Sequence, residues 1–291
     1  MRRRLGDRSD GYKLRKIDPL FRIIPYLMKE RNDAQVFFEE RIYLEKTQKL
    51  IRELRSEGYK VGFLHVVIAA MVRLISQKPK VNRFVRGHKH YARKDISISL
   101  AVKKDMSETA EETTIKVKFQ PDDTIYDVIE KLNKEIYANK KIEEKNNTDR
   151  FVKVFSYIPG FIVGGLVGLI KLMDDWGILP KFIIDLSPFH SSIFITDLGS
   201  LGIKPVYHHI YNIGTNTVFI AFGTRTKEQK FDDEMNLEEK KAMDLKIVAD
   251  ERVVDGYYFA TAIKLATKIM ADPFILREKP EEIMIDDEIW K

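Results

Sequence analysis

The chain has 291 residues, of which 44% are hydrophobic and 32% charged, with a formal net charge of +6. That balance excludes a disordered chain and allows one large folded domain or two small ones. The absence of cysteine excludes a disulfide scaffold, a Cys-ligated zinc or iron–sulfur centre and a thiol nucleophile; with no leader-like segment, the expected location is the cytoplasm.

In chain order, the first sixteen residues, "MRRRLGDRSDGYKLRK", hold seven Lys or Arg against two Asp. Residues 1–19 read as a solvated basic tail able to attract an anionic surface, and no nucleic-acid motif accompanies them. The spacing over 42–57, "IYLEKTQKLIRELRSE", predicts a helix closed by "GYK", and a more apolar helix follows in "GFLHVVIAAMVRLISQKP", stopped by Pro79. "DISISLAV" and "TTIKVKF" alternate as half-buried strands, and "TIYDVIEKLNKEI" returns to helical period. "SIFIT", "NTVFIAFG" and "LKIVA" read as strands, and "GYYFATAIKLATKIMADP" as a helix. Strands that follow one another without a helix between them point to an α/β fold with a mixed sheet. No glycine-rich phosphate loop follows any strand, which leaves nucleotide binding without support. In "HKH", His88 and His90 are expected on one strand face with no third ligand in reach, so no metal is expected. The last residues, 273–291, form an acidic C-terminal tail.

"VFSYIPGFIVGGLVGLI", 154–170, carries no charge. Three readings stay open. It is short for a membrane span and carries Pro159 and four glycines; it suits a buried core segment, and it also suits a flap that binds an acyl chain or, with residues 1–16, contacts a membrane surface.

"DERVVDG", 250–256, lies between a strand end and a helix start. It resembles the "DHRxxDG" signature of the dihydrolipoyl acyltransferase catalytic domain, shared more loosely with chloramphenicol acetyltransferase. "FITDLGSLGI" is similar to that family's "FTISNLGxxG", "HHIYNIGTNTVFIAFGT" to its following strand entry, and "KPKVNRFV" with "DISISLAV" to its earlier blocks. The blocks keep their order over roughly residues 20–272. The resemblance implies a chloramphenicol acetyltransferase-like two-layer α/β sandwich that forms a homotrimer. It implies active sites between subunits, where coenzyme A or acyl-CoA meets an acceptor; the apolar stretch at about 154–180 is an insertion that the family's compact core does not require, and it points to a larger or greasier acyl group or acceptor.

Acyl transfer needs a base for the acceptor's proton and a donor for the oxyanion. By the resemblance, Thr196 stands where the family's oxyanion serine stands, and Asp255, Arg252 and Gly256 match its structural turn. The family's catalytic histidine is Glu251 here. Carboxylates are about two units less basic than imidazoles, so three outcomes stay open. Glu251 acts as base in apolar surroundings, His209 (or its neighbour His208, or less directly His190) supplies the imidazole, or catalysis is lost and a non-catalytic trimeric scaffold remains. In that last case Glu251 would pair with Arg252 or another turn charge. The chain shows no lipoyl attachment motif, so it is expected to carry no lipoyl arm.

Overall fold

A computed structural model describes residues 4–103, 112–143, 158–231 and 235–290. Residues 154–157 of the apolar run lie outside these. In order, the elements are β1 (Gly11–Lys13), α1 (Pro19–Leu27), β2 (Gln35–Tyr43), α2 (Glu45–Ser56), α3 (Phe63–Gln77), β3 (Arg83–Arg86), β4 (Lys89–Arg93), β5 (Ile96–Lys103), β6 (Glu112–Phe119), α4 (Ile125–Glu143), α5 (Gly160–Trp176), α6 (Lys181–Leu186), β7 (Ile193–Asp197), β8 (Val218–Phe231), β9 (Leu237–Asp250) and α7 (Gly256–Ala271).

Six strands form one sheet in the order β2-β9-β8-β7-β5-β6. β7 runs parallel to β5 and β8, and the other pairs are antiparallel. The sheet is mixed, as the run of uninterrupted strands predicts. Alternation then sorts the side chains by face. Ile193, Ile195, Ile220, Phe222 and Leu245 join the main core with α2, α3, α4 and α7, whereas Phe194, Phe219 and Val248 form a second cluster with Ile210. Helices therefore cover one face, and a long connection between β7 and β8 covers part of the other. α3 is apolar on every side, the composition of a helix that is covered all round, and it is buried along nearly its whole length.

Several boundaries differ from the sequence reading. Ile42 and Tyr43 belong to β2, and the helix expected from 42 starts at Glu45. Exposure alternates along most of "QVFFEERIY", but its residue types come in runs, Val36–Phe38 apolar and Glu39–Arg41 charged, which hides the strand period. A small sheet, β1-β4-β3, went unforeseen. Its β3–β4 hairpin turns on Gly87 and His88, both at positive φ (53° and 57°), the geometry of a two-residue turn that follows strand twist. A Cβ at Gly87 would lie 2.2 Å from the Asp175 carbonyl oxygen, so the turn can seat against the end of α5 only as glycine.

The basic N-terminal residues are tied to the body. β1 pairs with β4, and Arg8 is buried between Asp10 and Asp174. The acidic C-terminal residues pack too: Asp286 is buried and chelates Arg83 through two 2.6 Å hydrogen bonds. Residues 160–170 form the first part of α5 and are largely exposed, not core.

Candidate functional site

β9 ends at Asp250, and the turn that follows is built on a buried ion pair. Arg252 donates from Nε to Asp250 Oδ1 (2.8 Å) and from Nη2 to Oδ2 (2.7 Å), and both residues are buried. The Arg252 backbone N–H also reaches Oδ1 at 3.1 Å. The remaining Arg252 nitrogen donates to the carbonyls of Met28 and Lys29 just beyond α1. Its own carbonyl accepts from His90 Nε2 at 2.8 Å. A carbonyl can only accept, which places the His90 proton on Nε2. Burial pushes His90 down to about 4, so this imidazole is neutral at neutral pH. Arg31 stands 3.4 Å from Asp250 and donates to the carbonyls of Tyr211 and Gly214; burial pushes it down to about 10.

Glu251 sits between these two buried partners and is itself exposed. Its backbone N–H is held by the Ala34 carbonyl at 2.9 Å. Arg252 is committed to Asp250, not to Glu251. Beyond the turn, Val253 and Val254 are buried with Val85 and Phe259. Asp255 caps α7, accepting the Tyr258 N–H at 2.8 Å. A Cβ on Gly256 would meet nothing within 4 Å, so the chain by itself does not require glycine there.

Thr196 lies elsewhere. In β7 it aligns with Ala101 of β5 and Ala221 of β8, and Ala221 aligns with Lys246 of β9. Its face of the sheet is the one opposite the helices, half-buried, beside the Phe194–Phe219 stack. The strand then turns sharply. Asp197 accepts the Ser200 N–H at 3.2 Å, and burial raises its carboxyl above the ordinary value. Gly199 backs onto Gly223: a Cβ at Gly199 would lie 2.6 Å from the Gly223 oxygen, and one at Gly223 would lie 2.4 Å from the Pro205 nitrogen. The glycines let two backbone segments meet just past the end of β7, three residues after Thr196.

Register separates Thr196 from Glu251. Lys246 is level with Thr196 two strands away, and Glu251 lies five residues further along β9, at the opposite end of the sheet. Strand rise and spacing make that about 20 Å within one chain.

The histidines distribute as follows. His208 stacks on Phe219 (4.6 Å between centroids, 18°) and so sits on the face that carries Thr196. His209 is exposed and edge-on to Tyr211 at 4.8 Å. His190 is buried with Nε2 3.3 Å from Asp174 and Nδ1 2.8 Å from Ser187 Oγ. His88 stacks on Tyr26 from the hairpin turn and His90 is buried in β4, so the two do not share a strand face. Among the described residues no group of His, Asp and Glu could hold a metal ion.

The sequence reading missed a cluster around Asp174. Burial alone would raise this carboxyl, but His190, Arg8 and Arg86 hold it well below the ordinary range. Beside it opens a cavity of about 510 Å³ lined by Arg31, Arg86, Lys171, Trp176 and Arg252, among others. Those residues come from separated stretches of chain, so no local motif announces them.

No protein-family model and no curated protein sequence matches the chain. Solved structures do. A probable dihydrolipoamide acetyltransferase from Listeria monocytogenes superposes with a TM-score of 0.56 at 14% identity, covering 88% of this chain and 93% of that one. A truncated catalytic core of the 2-oxoacid dehydrogenase multienzyme complex from Thermoplasma acidophilum gives 0.55 at 15%, covering 90% and 99%. The cubic core of a pyruvate dehydrogenase multienzyme complex gives 0.50 at 13%, covering 90% and 93%. The chain therefore has the α/β fold seen in the acyltransferase catalytic cores of 2-oxoacid dehydrogenase complexes.

Proposed function

We propose that the chain is an acyltransferase that moves an acyl group from coenzyme A to an acceptor with an exchangeable proton, at a site formed between copies of itself. The carrying observation is the 250–252 turn: two buried, mutually clamped charges hold the backbone of one outward-facing carboxylate, Glu251. A clamp of that kind presents a side chain to something outside the chain. Thr196 lies about 20 Å away in the same chain by strand geometry, so the two can meet only across an interface between copies. Exposed apolar side chains near the Thr196 face, Phe37, Val206 and Tyr207, suit such an interface.

Glu251 takes the acceptor's proton as the acceptor atom bonds to the thioester carbonyl carbon. The Thr196 hydroxyl donates to the oxyanion, and collapse breaks the carbon–sulfur bond. The proton then returns to the leaving thiolate, releasing coenzyme A. His209 is exposed beside Tyr211, whereas His208 lies on the Thr196 face; either could take the base role if Glu251 does not.

The test follows thiol release from acyl-CoA donors. Glu251→Gln should leave stability within about 0.5 kcal/mol, because the side chain is exposed, and should lower turnover by about a hundredfold or more. Full activity in Thr196→Ala, Glu251→Gln protein would reject the proposal. A second reading, a scaffold that has lost catalysis, is favoured by the exposure of Glu251 within one chain. In that case the wild type is inactive and Glu251→His alone restores turnover.

A further inference from the structure

Helices α3 and α5 share one pattern and have opposite fates. Both are rich in apolar residues on every face, and α3 is buried along its length, yet in α5 only Asp174 is buried. From Gly160 to Leu169 the side chains are open to solvent almost all round, with Phe161 80% exposed. α6, next along the chain, also exposes Phe182 and Leu186 (83%), and α1, whose Pro25 lines one cavity with Leu172 and Trp176 of α5, exposes Leu20, Ile23 and Leu27. A patch of this size on a folded chain marks a contact with something else.

Shape and charge say what. A single flat protein surface would cover one side of the projecting end of α5 and leave the other wet, whereas hydrocarbon covers every side of a helix end that enters it. Residues 160–170 carry no charge and span about 16 Å, roughly one leaflet of a hydrocarbon core about 30 Å thick. No helix among the described residues is long and apolar enough to cross a membrane. Where α5 meets the body the chemistry changes: Lys171 appears, and Trp176, of a residue type that settles at headgroup level, is exposed. The 510 Å³ cavity opens here, and its cations Lys29, Arg31, Arg86, Lys89, Lys171 and Arg252 outnumber Glu30 and Asp175. Arg31 and Arg252 share Asp250, whereas Arg8 and Arg86 are met by Asp10, Asp174 and Asp175 and Lys171 by Glu30, so the excess of positive charge comes from the Arg31–Arg252–Asp250 group and from Lys29 and Lys89. Lys29 and Lys89 are exposed.

We infer that α5, α6 and the exposed face of α1 dock this chain on an anionic lipid bilayer, the apolar end of α5 entering the acyl layer and headgroup phosphates meeting the basic cavity. Apolar insertion and cationic attraction are the two signals that together give a stable peripheral attachment. This inference is independent of acyl transfer and survives the loss of that proposal.

The full chain is floated with vesicles of phosphatidylcholine alone and of phosphatidylcholine mixed with phosphatidylglycerol. The wild type should float with the anionic vesicles, and Leu166→Glu, Leu169→Glu should lose that binding by tenfold or more. Lys29→Gln, Lys89→Gln should weaken it roughly tenfold to thirtyfold and reduce its salt dependence. Gly165→Ala, which keeps the helix apolar, should bind as the wild type does. With Trp290→Phe, Trp176 is the remaining tryptophan of two, and its emission should shift to the blue on adding anionic vesicles. Absence of flotation, equal flotation of the Leu166→Glu, Leu169→Glu protein, or an oligomer that this variant dissolves while no vesicle binds would overturn the inference. The last outcome would assign the patch to copies of the chain.

Discussion

The turn at 250–252 depends on the pairing of Asp250 with Arg252. Removing one member of a buried pair strands the other charge without water, typically at a cost of about 3–5 kcal/mol. Arg252→Met should therefore lower the urea midpoint by that equivalent and abolish turnover, although it leaves Glu251 in place; an unchanged midpoint would show that Arg31 alone can hold Asp250. His90, which donates to the Arg252 carbonyl, makes a pH-dependent contribution. Its pKa is about 4 in the fold and about 6.5 when unfolded, so below about pH 6.5 the unfolded chain takes up a proton that the folded chain refuses. Stability should fall as pH drops through that window, by about 2 kcal/mol at pH 5 from this group. Burial lowers His65 and His190 in the same direction. His90→Asn should flatten part of the slope in denaturation midpoints measured at about pH 7.5 and pH 5, and an unaltered slope would remove His90 from the account.

At the scale of elements, the loop after β7 and the start of α7 fail in different ways. Gly199 and Gly223 touch backbone to backbone, and a methyl at either must push a neighbouring segment away. Gly223→Ala should cost roughly 1–3 kcal/mol by overpacking. It should also move Thr196, so thiol release should fall by more than the loss of folded protein explains. Asp255→Ala removes only the cap of α7, about 1 kcal/mol, and turnover per folded molecule should fall little unless Asp255 also takes part in the chemistry. α5 offers the reverse test. A methyl added at Gly164 or Gly165 would meet nothing within 4 Å, so alanine at either should stabilise the helix by up to about 1 kcal/mol, read as a raised melting temperature.

For the whole molecule, the separation of Thr196 from Glu251 is the constraint that matters. If one copy supplies the hydroxyl and the next the carboxylate around a cyclic trimer, Thr196→Ala and Glu251→Gln proteins are each inactive alone. Unfolded together and refolded at equal amounts, they should recover about a quarter of wild-type turnover, the random-mixing share of intact interfaces in a closed ring. No recovery would place both groups in one chain's site or in none.

Local pattern carried most of the architecture. β5, β6, β7, the first part of β8 and the last part of β9 are legible because one face of each is buried, which forces alternation, and the mixed order of the sheet follows from the strand run; the exposed outer arm of the β8–β9 hairpin is not. The residues 250–256 are legible as a turn because Asp, Arg and the helix cap act on neighbours within a few positions. Their partners were not: Arg31, His90 and the carbonyls beyond α1 reach Asp250 and Arg252 from distant parts of the chain. The fate of α3 and α5 separates the two kinds of knowledge most clearly. The amino-acid order by itself determined that each stretch is strongly apolar without a polar face, because composition and spacing are local. Which of them lies under a sheet and which stands in the open was decided only by the tertiary arrangement, since burial depends on what other segments come to lie alongside.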